Sequence, residues 1–141
     1  MVLLDTNVVS EVIKDAVDAR VALWLTGQPK DNLFLCSVTE AELRFGVAIL
    51  PVGRRRDALA NLIEGILTED FAGRVVPFDS RAAIAYATVS AARRLAGRPI
   101  SVADAQIAAV ARAHGAAIAT RHTRDFEGCG VVVIDPWTVG A

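Results

Sequence analysis

Cysteine is nearly absent from this chain of 141 residues, and the two that occur, Cys36 and Cys129, lie far apart with no C-x-x-C spacing. Neither a cysteine zinc site nor a disulfide framework is indicated, and a reducing cytoplasm is the expected location. No apolar run reaches the length of about 20 residues that spans a bilayer. No basic segment followed by a long apolar stretch marks a secretory leader. A soluble, intracellular protein with no membrane association is expected. Positive charge is not in excess either: the formal net charge is −1, so nothing global attracts nucleic acid. Two local basic clusters, Arg54, Arg55 and Arg56, and Arg93, Arg94 and Arg98, read as solvated helix faces. Nucleophilic catalysis lacks its signatures. There is no G-x-S-x-G, no phosphate-cradling glycine loop after the first apolar segment, and no evident serine or cysteine partner for His114 or His122.

What the chain does have is apolar material, 53% hydrophobic against 22% charged residues, enough for one compact domain spanning 1–141. Residues 2–4 read as a short buried strand running into a helix near Val8. The stretch "NLFLCS" repeats the pattern, predicting a strand from Leu33 to Cys36 and Ser37 as the N-cap of a helix from Val38 to about Leu50, stopped by Pro51 and Gly53. Helices over about 54–67, 80–96 and 102–114, with strands at Val75-Val76, "AAIAT" and "VVVID", complete the alternation. Short apolar strands separated by helices imply a parallel sheet covered on both faces, with ligands gathering at the carboxyl ends of the strands. Asp5 and Thr120 both stand at such ends.

The acids then divide. Glu40 has capping-box spacing from Ser37 and ion-pair spacing to Arg44, so it needs no functional explanation. Glu42 shares its helical face with Phe45, Gly46 and Ile49; it is either a rim residue reaching solvent or a buried carboxylate in want of a proton or a cation. Asp104 shares a face with Ile107, Ala108 and Ala111, although Ser101-x-x-Asp104 equally matches an N-terminal cap. Asp79 reads as an ordinary N-cap and Asp135 as a turn residue. Clustered carboxylates repel unless a hard cation neutralises them, and Mg²⁺ or Mn²⁺ prefers such oxygen ligands. A cation held this way lowers the pKa of water and stabilises charge on a phosphoryl oxygen, which makes phosphodiester hydrolysis the natural reaction class.

The stretches "LLDTNVVSE", "TEAELRFGV", "SVADAQIAA" and "ATRHTRDFEGCGVVVIDPW", in that order over essentially the entire chain, resemble the PIN-domain ribonucleases, in particular the VapC/FitB-like toxins of bacterial type II toxin–antitoxin pairs. The resemblance implies a three-layer α/β/α sandwich around a short parallel sheet and Mg²⁺- or Mn²⁺-dependent endoribonuclease activity on an RNA substrate. It implies Asp5, Glu42 and Asp104 as metal-site acids, with Asn7 and Thr120 as supporting polar groups. It also implies a homodimer and a cognate antitoxin, with operator DNA reached only through that antitoxin. Where the family often has Asp or Asn directly after "TR", this chain has His122, with Asp125 three residues on. In a short helical stretch both would face the acids, so Asp125 is expected as the fourth acid and His122 as a flanking group. Arg121 and Arg44 are expected near phosphate. Two other readings are a non-catalytic PIN-like binding or scaffolding module and an aspartyl phosphotransferase with Asp5 as nucleophile. The second is weakened because Asn7 occupies the place of the second acid in a D-x-D pattern.

Overall fold

The computed structural model describes residues 1–138. Its centre is β1 (Val2–Leu4), which pairs in parallel with β2 (Leu33–Cys36) on one side and β4 (Ala117–Ala119) on the other. The outer strands β3 (Val75–Val76) and β5 (Val133–Ile134) give a five-stranded parallel sheet in the order β3-β2-β1-β4-β5. Parallel pairing demands crossover helices, and the chain supplies α1 (Thr6–Val12), α2 (Ala19–Thr26), α3 (Ser37–Ala48), α4 (Arg54–Gly65), α5 (Ser80–Leu95) and α6 (Val102–His114).

Strand residues alternate between two cores, as the period of two requires. Val2, Leu4, Leu33 and Leu35 face a core closed by Val8, Val21, Trp24, Leu43 and Ile63 from the first four helices. Leu3, Cys36 and Ile118 face a second core closed by Val89 of α5 and Ile107, Val110 and Ala111 of α6. The result is the expected α/β/α sandwich. Leu3, Leu35 and Ile118 are fully buried, each contributing about 1.5–3 kcal/mol relative to exposure. Gly115 ends α6 in the left-handed region at φ 62°, so the chain turns at once into β4.

Several local expectations are corrected. Ser37 is the first helical residue of α3, not its cap; its hydroxyl accepts from the Phe78 N–H (3.1 Å) and ties α3 to the segment after β3. The cap position belongs to Cys36, which makes no side-chain capping bond. α3 stops at Ala48 rather than near Leu50. The helix expected over 54–67 ends at Gly65 and passes into a π-helical stretch, Ile66–Asp70, that turns Ile66 and Leu67 into the core. Helix α2 was not expected from the sequence; it buries a stripe of Val21 and Trp24, flanked by half-buried Leu25, and leaves Leu23 exposed. The face shared by Glu42, Phe45 and Ile49 is open rather than a core face, with Phe45 and Ile49 each 65% exposed. Arg93, placed by its neighbours in a solvated cluster, is buried.

No helix of the described residues is long and apolar enough to cross a membrane.

Candidate active site

The strand order reverses at β1, whose successors β2 and β3 lie on one side and β4 and β5 on the other. In open parallel sheets such a switch point leaves a crevice beyond the carboxyl ends of the strands. Asp5 follows β1 and Thr120 follows β4, and the Asp5 N–H donates to Ala119 O (2.9 Å).

Asp5 is both a cap and a member of an assembled group. One carboxylate oxygen, Oδ1, accepts from the Thr6 N–H (2.8 Å) as the N-cap of α1. The other, Oδ2, accepts from Asn7 Nδ2 (3.0 Å) and from the Thr120 hydroxyl (2.8 Å). Asn7 Nδ2 also donates to Thr120 Oγ1 (3.1 Å), its Oδ1 accepts from the Arg121 N–H (3.0 Å), and the His122 N–H donates to Thr120 Oγ1 (3.0 Å). Asp5 and Thr120 are both buried. Three hydrogen bonds therefore fix the direction of one carboxylate, and three more hold the groups that make them.

Glu42 comes from the open side of α3, and its Oε1 accepts from the Thr6 hydroxyl (2.8 Å). Desolvation pushes its pKa up, the Thr6 hydrogen bond opposes this, and the charges of Asp5 and Asp104 add to the rise. Asp104 occupies the first turn of α6, capped by Ser101 Oγ, which accepts from the Asp104 N–H (3.2 Å). Its pKa is also raised, first by desolvation; Asp5 and Asp125 raise it further, while Ser101 and His122 oppose the shift. The capping reading of Asp104 and the shared-charge reading thus hold together.

Asp125, in the 3₁₀ turn Thr123–Phe126, and His122, just before it, meet the same crevice, and buried Phe126 anchors the turn in the core. Asp5, Glu42, Asp104, Asp125, Asn7, Arg121 and His122 all line one open cavity of about 610 Å³. The Arg121 guanidinium lies over the Trp137 ring, 5.1 Å from its centroid, a cation–π contact at the cavity wall. Arg44 does not reach the cavity: its guanidinium pairs with Glu40 and Glu64, each at 2.8 Å, so the expectation of a phosphate contact there is corrected.

The sequence reading missed Thr6, Glu11 and Lys14. Asn7, Glu11 and Lys14 follow one another at spacings of four and three, which is the signal that could have placed them on one helical face. Buried Glu11 accepts from Lys14 Nζ (3.0 Å) and the Asp18 N–H (3.2 Å), and the Lys14 hydrogen bond is the main reason its pKa is lowered. Thr6 could not be assigned, because its partner Glu42 is 36 residues away.

The acids present oxygen alone, which suits a hard cation and not a soft one. Among the described residues no three His, Cys, Asp or Glu side chains are grouped closely enough to hold a metal ion between them. Mg²⁺ is commonly bound through only one or two carboxylates and keeps several waters.

A parallel α/β/α sandwich with an acidic crevice at its switch point is a recognisable class of domain. The PIN domain model matches residues 2–128, and the chain belongs to the PIN domain family. Within it the chain is similar to the VapC ribonuclease Y4jK of Sinorhizobium fredii, at 45% identity over 137 residues, 97% of this chain and 98% of that one. It is similar to Toxin FitB of Neisseria gonorrhoeae, at 39% identity over 137 residues, 97% of this chain and 99% of that one. The crystal structure of FitAcB from Neisseria gonorrhoeae matches with a TM-score of 0.93 at 39% identity, covering 99% of this chain and 100% of that chain.

Proposed function

We propose that this protein is a metal-dependent endoribonuclease acting as the toxin of a type II toxin–antitoxin pair. The observation that carries this reading is the convergence of Asp5, Glu42, Asp104 and Asp125 on one crevice of a PIN-domain fold. Relatives named as a VapC ribonuclease and as Toxin FitB, and a solved complex of the FitAB type, support the toxin role and a cognate antitoxin partner.

Bound by these acids, Mg²⁺ or Mn²⁺ would supply a water of lowered pKa and neutralise charge on the phosphoryl oxygens. The chain supplies orientation. Thr6, Asn7 and Thr120 hold Asp5 in one direction, so its charge does not reorganise when the substrate arrives. Glu42 and Asp104 are partly desolvated acids able to hold the cation or accept a proton. Arg121, stacked on Trp137 and exposed at the cavity, offers a planar donor to an RNA phosphate. Incubating the purified protein with total RNA tests this: cleavage with Mg²⁺ or Mn²⁺ and none with EDTA is expected, and mapped ends give the cut site. Cleavage indifferent to EDTA overturns the metal reading. RNA binding without cleavage under every metal condition overturns the enzyme reading in favour of a binding module.

The fourth acid gives a second test. Asp125 is an oxygen ligand and His122 is not, so Asp125→Asn is expected to raise the Mg²⁺ concentration for half-maximal cleavage, with partial rescue by excess metal. His122→Asn should leave that concentration nearly unchanged and weaken RNA binding instead. The reverse pattern would assign the ligand position to the histidine.

The chain is also proposed to form a homodimer. Phe45 in α3 and Ile49 just past its end lie four residues apart, each 65% exposed, and Val52 follows at 89%. Such an apolar strip is a cost to a free monomer. Light scattering is expected to give a dimer that Phe45→Glu dissociates; a monomer at high micromolar concentration overturns this assignment.

A further inference from the structure

Arg93 is the only buried Lys or Arg side chain among the described residues, and the proposed chemistry does not use it. A buried guanidinium normally demands a carboxylate, yet among the described residues Arg93 makes no salt bridge. Its hydrogens go to backbone carbonyls instead. Nε donates to Arg98 O (2.7 Å), and Nη1 donates to Asp125 O (2.8 Å) and Glu127 O (2.9 Å), with Cys129 Sγ at 3.6 Å.

These carbonyls belong to two segments that each carry a site acid. Arg98 lies in the connection leading into α6, whose first turn holds Asp104, while Asp125 lies in the turn that presents it to the crevice and Glu127 directly follows that turn. Asp104 and Asp125 line the same crevice, where two carboxylates repel unless a cation lies between them. Arg93 bridges the two segments from behind with a planar fork of donors whose geometry is fixed. We propose that Arg93 is a positioning residue that sets the separation of Asp104 and Asp125 for the cation, an inference that rests on the metal-site reading given above. A lysine cannot replace it, because one ammonium is a point donor and does not span carbonyls on two segments.

The test is Mn²⁺ binding to the full chain, read by electron paramagnetic resonance without RNA, in Arg93→Lys, Arg93→Gln and Arg98→Ala. Removing groups that orient metal ligands commonly costs roughly 10–100-fold in affinity, and a loss of at least about tenfold is expected for both Arg93 variants while circular dichroism stays native. Arg98→Ala keeps the carbonyl and removes only the exposed pair with Glu127 (2.8 Å), so its affinity should stay within about twofold of the wild type. In an Asp125→Asn background, Arg93→Lys should weaken binding no further, because the ligand it positions is already gone. Unchanged Mn²⁺ affinity in a folded Arg93 variant overturns the proposal, as does an undiminished effect in the Asp125→Asn background. Loss of the native fold in both Arg93 variants also overturns it, by assigning the residue to global stability. If the wild-type protein binds no Mn²⁺, the metal-site reading itself fails, an outcome the wild-type measurement alone distinguishes.

Discussion

Asp104→Asn is expected to reduce RNA cleavage by at least about 100-fold, the scale of losing a few kcal/mol of charge stabilisation. The same substitution should leave the metal-free protein as stable as before or more so. Asp104 is half-buried, and desolvation together with Asp5 and Asp125 makes its ionised form unfavourable in the fold. An amide of the same shape removes that penalty and keeps the cap, which uses the Asp104 backbone N–H and the Ser101 hydroxyl. The sign with pH follows from the raised pKa. Stability from protonated Asp104 is fully present below the ordinary carboxylate value and is lost as pH rises through the raised one. The advantage of Asp104→Asn should therefore be absent in acid and grow as pH climbs through that window. Thermal melts in EDTA across this pH range, paired with cleavage assays in Mg²⁺, measure both halves. A lower melting temperature for the variant at neutral pH overturns the electrostatic account, and near-wild-type cleavage overturns the role of Asp104.

Where local chemistry decides structure, the sequence was a good guide. The bounds of α6 follow from Ser101 before it and Gly115 after it, and both ends lie where those residues demand. Asp79 and Asp135 do the capping and turn work their surroundings indicate, accepting from Ala82 N–H and Trp137 N–H. Asp5 and Thr120 were legible as polar residues closing apolar strands, a pattern that puts them at the carboxyl edge of any parallel sheet. What depends on distant partners was not legible. The Ser37 hydroxyl turns to Phe78, 41 residues away, instead of capping its own helix. Arg93 looks like one of several surface arginines until the fold brings three carbonyls around it. Shared burial with Phe45 and Ile49 does not explain Glu42, since both are exposed; what turns it toward Asp5 is the hydroxyl of Thr6. Periodicity identified a residue out of place on its helix, but only the tertiary fold supplies the reason.

Asp5→Asn should be equally inactive, with a loss of at least about 100-fold, yet it should behave differently as a folded protein. Its two oxygens accept from opposite sides: Oδ1 from the Thr6 N–H, Oδ2 from Asn7 Nδ2 and the Thr120 hydroxyl. An amide has one acceptor to offer. If the asparagine oxygen caps α1, its NH₂ is driven against the donor group of Asn7; if it turns the other way, the cap is lost. Rotation of the Thr120 hydroxyl gives little relief, because its oxygen already accepts from Asn7 and from the His122 N–H. One mispaired buried donor or one lost cap costs about 1–2 kcal/mol. In a chain of this size that corresponds to a fall in melting temperature of roughly 5 °C. Asp5→Asn and Asp104→Asn therefore share one activity defect and carry stability changes of opposite sign. If both variants melt at the wild-type temperature, the network joining Asp5, Asn7 and Thr120 contributes nothing to the fold. If Asp5→Asn cleaves RNA normally, the carboxylate at the end of β1 is a helix cap and no more.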